Sequence, residues 1–256
     1  MQIKIQRWLS LVLVVVALVT GACSTQEAGS QSSTNSSTAA TTSTPVAQAS
    51  SSQLSTLPRL EGKATVVMKV NGSPITIEVN GTDAPVTAGN FVDLVQRDVY
   101  DGLVFHRVVR EPQPFVVQGG DPQGKDPSFP VEGLGTGSFI DPDTSQARYV
   151  PLEIKPEGAA EPIYSKTLEK AGVSKPPVLR HTRGAVAMAR SSPPDSASSQ
   201  FYIALTELPF LDGSYAVFGY VTEGMDVVDK IQQGDRIESA EVTKGIENLK
   251  KPQTSS

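Results

Sequence analysis

The chain has 256 residues with 22 basic and 27 acidic side chains, a net charge of −5 and a single cysteine. The excess of acidic residues argues against nucleic-acid binding, which needs a basic surface. With one cysteine no intramolecular disulfide can form, so the folded part must be held together by its own core.

The N-terminus has the pattern of a secretory signal peptide over residues 1–22. Lys4 and Arg7 precede an apolar run from Leu9 to Val19, and small residues follow. A membrane-spanning helix is the alternative interpretation, but a span needs about 20 apolar residues and this run is shorter. Removal of the signal would leave 20 basic against 27 acidic side chains, a net charge of −7.

The only cysteine, Cys23, stands where the signal ends. The stretch "VTGAC" resembles a bacterial lipobox, whose cysteine is lipidated and becomes the mature N-terminus, although Thr20 stands where leucine is usual. We therefore predict a lipid anchor at Cys23, with each buried CH₂ adding about 0.8 kcal/mol to membrane binding. Ordinary cleavage nearby, leaving an unmodified thiol, is the alternative. The anchored protein would be exported and would face the periplasm or the thylakoid lumen.

Residues 23–57 are predicted to form a disordered tether. Of residues 24–57, 18 are Ser or Thr and only Glu27 is charged. Such a segment buries too little apolar surface to offset its ordering entropy.

From about Pro58 the pattern changes to short apolar runs. "KATVVMKV" and "SPITIEV" are separated by "NG", which predicts a β-hairpin. Pro85 then suits the start of a helix, and Phe91, Leu94, Val95 and Val99 recur at helical spacing.

The second half predicts more short strands than helices. The expected strands are "LVFHRVV", "FVVQGGD", "GAVAMAR", "QFYIAL", "YAVFGYV" and "RIESAEVT", with a short helix near "GMDVVDKIQQ". Many short strands with two helices favour a closed barrel or a sandwich. One domain over residues 58–247 is expected, with a flexible tail over 248–256. Residues 122–182 are turn-rich and charged, and a compact domain seldom carries so much irregular chain without using it.

The stretch "FHRVVREPQPFVVQGGD" at residues 105–121 places polar side chains in apolar strands. Alternation along a strand puts Phe105, Arg107 and Val109 on one side and His106 on the other. Because Val116 and Gln118 share a face of the following strand, Arg107 and Gln118 are expected to meet. An edge-strand arginine in a salt bridge is the alternative for Arg107.

Further segments follow this stretch in a fixed order: "GTG" at 135–137, "AMARSSPPDSASSQFYI" at 187–203 and "LPFLDGSYAVFGYV" at 208–221. Together they resemble the cyclophilins, the peptidyl-prolyl cis-trans isomerases, from about Ala64 to Glu241. The bacterial and chloroplast-lumen branches are the most similar. The resemblance implies a mostly β fold, a closed eight-stranded antiparallel barrel with two capping helices.

The resemblance also assigns a site. Arg107 matches the catalytic arginine, and the substrate-binding matches are Phe115, Val116, Gln118, Gly135, Ala189, Arg190, Ser191, Gln200, Tyr202, Phe210, Leu211 and Tyr215. Three of these depart from the family pattern: Val116 replaces methionine, Tyr202 replaces phenylalanine and Arg190 replaces asparagine. The loop "REPQP" is longer than usual, and residues 156–180 have no good counterpart in shorter members.

The resemblance implies a monomeric peptidyl-prolyl cis-trans isomerase that assists the folding of exported, proline-containing polypeptides. Prolyl isomerisation breaks no covalent bond, so no cofactor, nucleophile or metal is expected. His106 and His181, the only histidines, lack the companions of a metal site and are expected to be structural. A peptide-binding scaffold with little turnover, or a structural lipoprotein without a groove function, are the alternatives; the presence of Arg107 with Gln118 favours the enzyme.

Overall fold

The computed structural model describes residues 54–252, and its largest element is an antiparallel sheet. The strands in chain order are β1 (Arg59–Leu60), β2 (Lys63–Val70), β3 (Ser73–Asn80), β4 (Arg107–Val108), β5 (Val116–Gly119), β6 (Ile140–Asp141), β7 (Gln146–Ala147), β8 (Glu153–Ile154), β9 (Ile163–Tyr164), β10 (Ala185–Met188), β11 (Phe201–Ala204), β12 (Val217–Glu223), β13 (Ile237–Lys244) and β14 (Leu249–Lys250). Eight of them form one sheet in the order β13-β2-β3-β12-β10-β11-β5-β4, and β1–β14, β6–β7 and β8–β9 are separate pairs.

The predicted hairpin is formed by β2 and β3. Its turn is Asn71-Gly72, with φ of 50° and 74°. Positive φ at both central residues is what a tight hairpin turn requires, and Asn-Gly adopts it at low cost. Every second residue of β2 is buried, beginning at Ala64. The turn and the alternation therefore act together to set the register of the sheet.

The sheet curls into a half-barrel and does not close, which corrects the predicted closed barrel. β4 has only two residues, and it does not pair with β13 at the other edge. Where these edges approach, residues 102–105 and 234–237 share one isolated bridge, Val104 to Arg236, and four backbone hydrogen bonds of 2.8–3.0 Å. These contacts join the residues just before β4 to the start of β13 and are not continued along the two strands, so no ladder closes the seam.

The two predicted helices are α1 (Pro85–Gln96) and α2 (Met225–Val228). Proline occupies the first turn of α1, as expected, and Phe91, Leu94 and Val95 are buried. Phe91 contacts a group of core aromatic rings contributed by the sheet and the loops, which are Tyr100, Phe201 and Phe218.

A buried carboxylate caps the N-terminus of α1. Glu153 is 1% exposed and accepts hydrogen bonds from the backbone N of Val86 (3.1 Å) and Thr87 (2.7 Å) and from the hydroxyl of Tyr164 (2.8 Å). Burial raises the pKa of Glu153, and these hydrogen bonds oppose the rise. They satisfy backbone donors that a helix start leaves without partners.

The folded region extends beyond the predicted limits of 58–247. Leu57 is buried in the main core, and β14 pairs with β1, so residues 249 and 250 belong to the fold. The predicted signal, Cys23 and the tether up to residue 53 lie outside the described residues. In residues 54–252 no helix has the length and apolarity needed to cross a bilayer.

The irregular segment 156–180 packs on the body of the domain. A bridge between Pro156 and Pro177 closes its base. Leu168 lies in a small apolar cluster with Leu152, Ile154 and Ala216, and its N–H donates to Gly213 O at 2.9 Å. The segment is thereby attached to the loop 209–214, which borders the candidate site.

Candidate active site

The strands β5, β10, β11 and β12 have apolar clusters on both faces. One face belongs to the main core, for example through Val117 and Ile203. The alternate residues Val116, Tyr202 and Val217 form a second cluster with partly buried side chains from loops. Since successive side chains of a strand point to opposite faces, this second cluster lies on the outside of the half-barrel. The candidate site is on this outer face.

Arg107 and Gln118 are cross-strand partners in the register of β4 and β5. Arg107 Nη1 donates to Gln118 Oε1 at 3.4 Å, and the guanidinium lies 5.5 Å from the ring centre of Phe115. Arg107 is exposed and forms no ion pair in the described part of the chain. The expected meeting of Arg107 and Gln118 is therefore present, and the salt-bridge alternative is not.

The expected alternation was wrong for Phe105. It is fully buried and contacts Phe201 with ring centres 6.3 Å apart, on the core side rather than beside Arg107. The reason is that β4 begins only at Arg107, so no strand period applies to the residues before it. His106 is also buried, at 7% exposed, and its ring nitrogens have no hydrogen-bond partner within residues 54–252. Burial lowers the pKa of His106, which favours the neutral ring.

A cavity of about 200 Å³ opens between these strands and the neighbouring loops. All nine residues that line it are predicted site residues: Arg107, Phe115, Val116, Gln118, Ala189, Arg190, Tyr202, Leu211 and Tyr215. Its walls are mainly aromatic and aliphatic, with a guanidinium at two points of the rim. Such a cavity suits a small apolar ring next to a polar, uncharged amide.

A larger groove of about 530 Å³ adjoins this cavity. The predicted residues Gly135, Ser191 and Gln200 line the groove, which shares Gln118, Ala189 and Arg190 with the cavity. Phe210 lines neither of them; it is 70% exposed and its ring stacks on that of Phe115 at 6.1 Å. The structure thus brings twelve of the predicted residues into two adjoining spaces and leaves Phe210 at the outer edge.

Asp121, which was not among the predicted site residues, shapes the groove. This carboxylate is fully buried and accepts hydrogen bonds from the backbone N of Gly135 (2.6 Å), Gly137 (2.9 Å) and Gln123 (2.9 Å). A Cβ at Gly137 would collide with it. The available signal was the aspartate that ends "VQGGD", but Gly135 and Gly137 lie beyond an irregular segment, 14 and 16 residues further along the chain.

A buried polar chain, a series of three hydrogen-bonded side chains behind the cavity, was also not predicted from the sequence. The hydroxyl of Tyr202 lies 2.9 Å from His181 Nε2, and His181 Nδ1 lies 2.8 Å from Asp212 Oδ1. Burial lowers the pKa of His181, against the opposing effect of Asp212, and burial raises that of Tyr202. With a neutral His181, Nδ1 donates to Asp212 and Nε2 accepts from Tyr202. This chain fixes the ring of Tyr202 in the cavity wall.

Arg190 is held at the boundary of the two spaces. Its Nε and Nη2 donate to Ser214 O at 3.2 and 2.8 Å, and its Nη1 donates to Ser191 O at 2.8 Å. The guanidinium lies over the ring of Tyr215 at 4.7 Å. These contacts restrain a side chain that would otherwise be free to rotate.

The arrangement suits recognition of an amide. In residues 54–252 no group of three His, Cys, Asp or Glu side chains is placed to hold a metal ion. Arg107 is a permanent cation and a hydrogen-bond donor at the rim of an apolar cavity. Its contact with a bound group would be strengthened where the aromatic and aliphatic side chains exclude water.

Comparisons with known proteins agree on one family. The family model for cyclophilin type peptidyl-prolyl cis-trans isomerases matches residues 65–251. A Synechocystis protein named as a thylakoid lumen peptidyl-prolyl cis-trans isomerase is 44% identical over 207 residues, covering 77% of this chain and 51% of that protein. A chloroplast isomerase of Arabidopsis thaliana is 44% identical over 214 residues, covering 77% and 46%. The chain therefore spans about half the length of these two relatives.

A shorter relative and a solved structure extend the comparison. A peptidyl-prolyl cis-trans isomerase of Acinetobacter baylyi is 37% identical over 171 residues, covering 65% of this chain and 70% of that protein. The crystal structure of a Cryptosporidium parvum cyclophilin type isomerase has a TM-score of 0.53 at 22% identity, covering 71% of this chain and 98% of that one, and supports the fold. The chain belongs to the cyclophilin-type peptidyl-prolyl cis-trans isomerase family.

Proposed function

We propose that this protein is a peptidyl-prolyl cis-trans isomerase that acts on exported, proline-containing polypeptides, with Arg107 as its catalytic residue. The observation that carries the proposal is the cavity of about 200 Å³, in which an unpaired guanidinium faces an apolar, aromatic wall. The names of the relatives support the activity, and the thylakoid-lumen and chloroplast names of two of them support an exported location.

The reaction rotates the peptide bond that precedes proline. This bond has partial double-bond character, and uncatalysed rotation takes tens of seconds. In the twisted transition state the prolyl nitrogen regains lone-pair character and can accept a hydrogen bond. A donor at that point stabilises the twisted form more than either planar form, which is the condition for catalysis.

The residues of the cavity would have different roles in binding and catalysis. Phe115, Tyr202 and Leu211 would hold the proline ring and exclude water. Arg107 would donate to the prolyl nitrogen, and Gln118, 3.4 Å from Arg107, would keep the guanidinium directed at it. No proton is transferred, so the reaction needs no group that titrates near neutral pH.

Replacement of Arg107 by alanine tests the assignment. We expect turnover to fall about 10²- to 10³-fold, the usual effect of losing one preorganised electrostatic donor, while peptide affinity changes much less. Arg107→Lys should recover little, because a point charge on a flexible stem does not replace the planar fork. Exchange NMR on an Ala-Pro peptide measures both quantities.

Arg110→Ala is the matched control. Arg110 lies on the loop that follows β4, and its Nη2 donates to Val228 O and Asp229 O rather than lining the cavity. If Arg107→Ala turns over the peptide at the wild-type rate, the catalytic assignment is wrong. Binding without turnover by the wild-type protein would instead favour a peptide-binding scaffold, for which the exposed Phe210 and the attached segment 156–180 are suitable contacts.

We further infer that Cys23 is the point of a lipid anchor on the exported protein. The support is the "VTGAC" stretch at the end of the signal pattern. Cys23→Ala should move the protein from the membrane to the soluble fraction, because the lipid attachment site is lost. A variant that stays with the membrane would point to an uncleaved signal helix or a protein partner.

A further inference from the structure

Arg190 stands where the cavity and the groove meet. Three residues line both spaces, and they are Gln118, Ala189 and Arg190. A peptide that places its proline in the cavity and continues into the groove must therefore pass Arg190.

The proposed chemistry sets the direction of that peptide. If Arg107 donates to the prolyl nitrogen, the peptide bond before proline lies beside Arg107 and its neighbour Gln118. Gln118 Nε2 donates to Gln200 Oε1 at 3.3 Å, and Gln200 Nε2 donates to Gly137 O at 2.8 Å, so this polar row leads into the groove. The residues that precede proline therefore leave the cavity on the groove side, across Arg190.

The positive charge of Arg190 is not matched by a carboxylate. Its hydrogen bonds all go to backbone carbonyls, those of Ser191, Ser192 and Ser214. No Asp or Glu lines the cavity, and no ion pair of Arg190 within 4.0 Å exists among residues 54–252; the one carboxylate of the groove is that of Asp195. By contrast, several arginines elsewhere are paired with acidic side chains, namely Arg97, Arg148, Arg180 and Arg183.

The cavity thus has two guanidinium groups at its rim in a protein whose net charge is −5. One of them, Arg107, is assigned to the prolyl nitrogen. The other, Arg190, is held rigidly by its carbonyl contacts and by the Tyr215 ring, which reduces the entropy lost when it binds a further group. An anion is the chemical class that complements it.

We propose that Arg190 makes this site selective for substrates with an anionic side chain, a carboxylate or a phosphate, one or two residues before the proline. The inference rests on the proposed function of the site, because Arg107 sets the direction of the peptide. Arg190 is a specificity-determining residue in this scheme, and it takes no part in the rotation itself.

The test uses peptides that differ only before proline: Ala-Pro, Glu-Pro, Lys-Pro and phosphoserine-Pro, with Glu also placed two residues before proline. For each, chemical-shift titration gives Kd and exchange NMR gives the turnover rate. We expect the wild-type protein to bind one of the Glu peptides about 1.5- to 5-fold more tightly than Ala-Pro, the range of a solvent-accessible ion pair, and Lys-Pro more weakly. The preference should shrink in 0.5 M salt.

Three variants separate the charge of Arg190 from a general effect of mutation. Arg190→Gln should abolish the Glu-to-Ala ratio of Kd, and Arg190→Lys should keep part of it because the charge remains. Arg110→Gln removes an arginine that lines neither space and donates to Val228 O and Asp229 O instead, and it should leave the ratio unchanged. If only the phosphoserine peptide is preferred, the group that Arg190 recognises is a phosphate. If the Glu and phosphoserine peptides are both preferred, Arg190 accepts a carboxylate or a phosphate.

A wild-type Kd that is equal for the Glu, phosphoserine, Ala and Lys peptides overturns the inference, as does an Arg190→Gln variant that keeps the preference. The binding measurement is independent of turnover. If no peptide is isomerised but the anionic preference exists and depends on Arg190, the proposed function fails and the selectivity stands. If all peptides are isomerised with no preference, the reverse holds.

Discussion

Tyr202 occupies a position where the family usually has phenylalanine. The change Tyr202→Phe therefore isolates the effect of its hydroxyl group. The ring forms part of the cavity wall, while the hydroxyl points into the protein and meets His181 Nε2 at 2.9 Å. Removal of the oxygen leaves the shape of the cavity intact. It leaves the nitrogen of His181, whose side chain is 1% exposed, without a partner.

The expected loss is one of stability rather than of turnover. A buried polar atom that loses its only partner costs about 1–3 kcal/mol of unfolding free energy. For a domain of this size each kcal/mol lowers the unfolding midpoint by about 2–4 °C. Turnover of an Ala-Pro peptide below the melting range should change by less than about threefold, because the wall keeps its ring.

Thermal and urea unfolding of the wild type and Tyr202→Phe measure the loss, and exchange NMR measures turnover. Tyr215→Phe is the control, since Tyr215 lines the same cavity but its hydroxyl makes no hydrogen bond within residues 54–252; its unfolding midpoint should hardly move. If Tyr202→Phe unfolds at the wild-type midpoint, the polar chain does not stabilise the domain. If turnover falls with stability intact, the hydroxyl acts in the reaction instead.

Two further outcomes are expected. Burial lowers the folded-state pKa of His106 and His181 below the usual 6.5, so the unfolded chain binds protons first. The stability that the two neutral histidines contribute is then complete above pH 6.5 and is lost as the pH falls below it. Urea unfolding at several pH values should therefore show a smaller acid-induced loss of unfolding free energy in His181→Gln than in the wild type. A deletion of residues 1–53 should leave the unfolding midpoint unchanged. A deletion of residues 1–57 should lower the midpoint, because burial of a leucine side chain contributes about 1.5–3 kcal/mol and Leu57 is buried. Equal midpoints for the two deletions would contradict a stabilising role for Leu57.

Local signals in the sequence predicted the regular parts of the fold. Asn71-Gly72 specified the β2–β3 hairpin because few other dipeptides adopt positive φ twice. Pro85 predicted the start of α1 for a similarly local reason. The seam of the half-barrel was not predictable in this way, since the length of β4 depends on the turns before it and on contacts with the distant residues 234–237.

The same distinction holds for the candidate site. Arg107 and Gln118 could be paired from strand alternation because a short loop joins their strands. Asp212 could not be joined to His181, since the two are 31 residues apart and meet only in the folded chain. Asp121 accepts hydrogen bonds from the backbone N–H groups of Gly135 and Gly137. Because almost any residue can donate from its backbone N–H, such contacts leave little pattern in the sequence.

The pairing of β1 with β14 has a mechanical consequence. Arg59 and Leu60 form a ladder of only two residues with β14, whereas β2 is bonded along eight residues to β3 and is also paired with β13. Tension applied to the chain before Leu57 first pulls on that buried side chain and then opens the short ladder from its end. The domain therefore has a release point that yields under load while β4 and β5, which belong to the separate eight-stranded sheet, keep the geometry of the cavity.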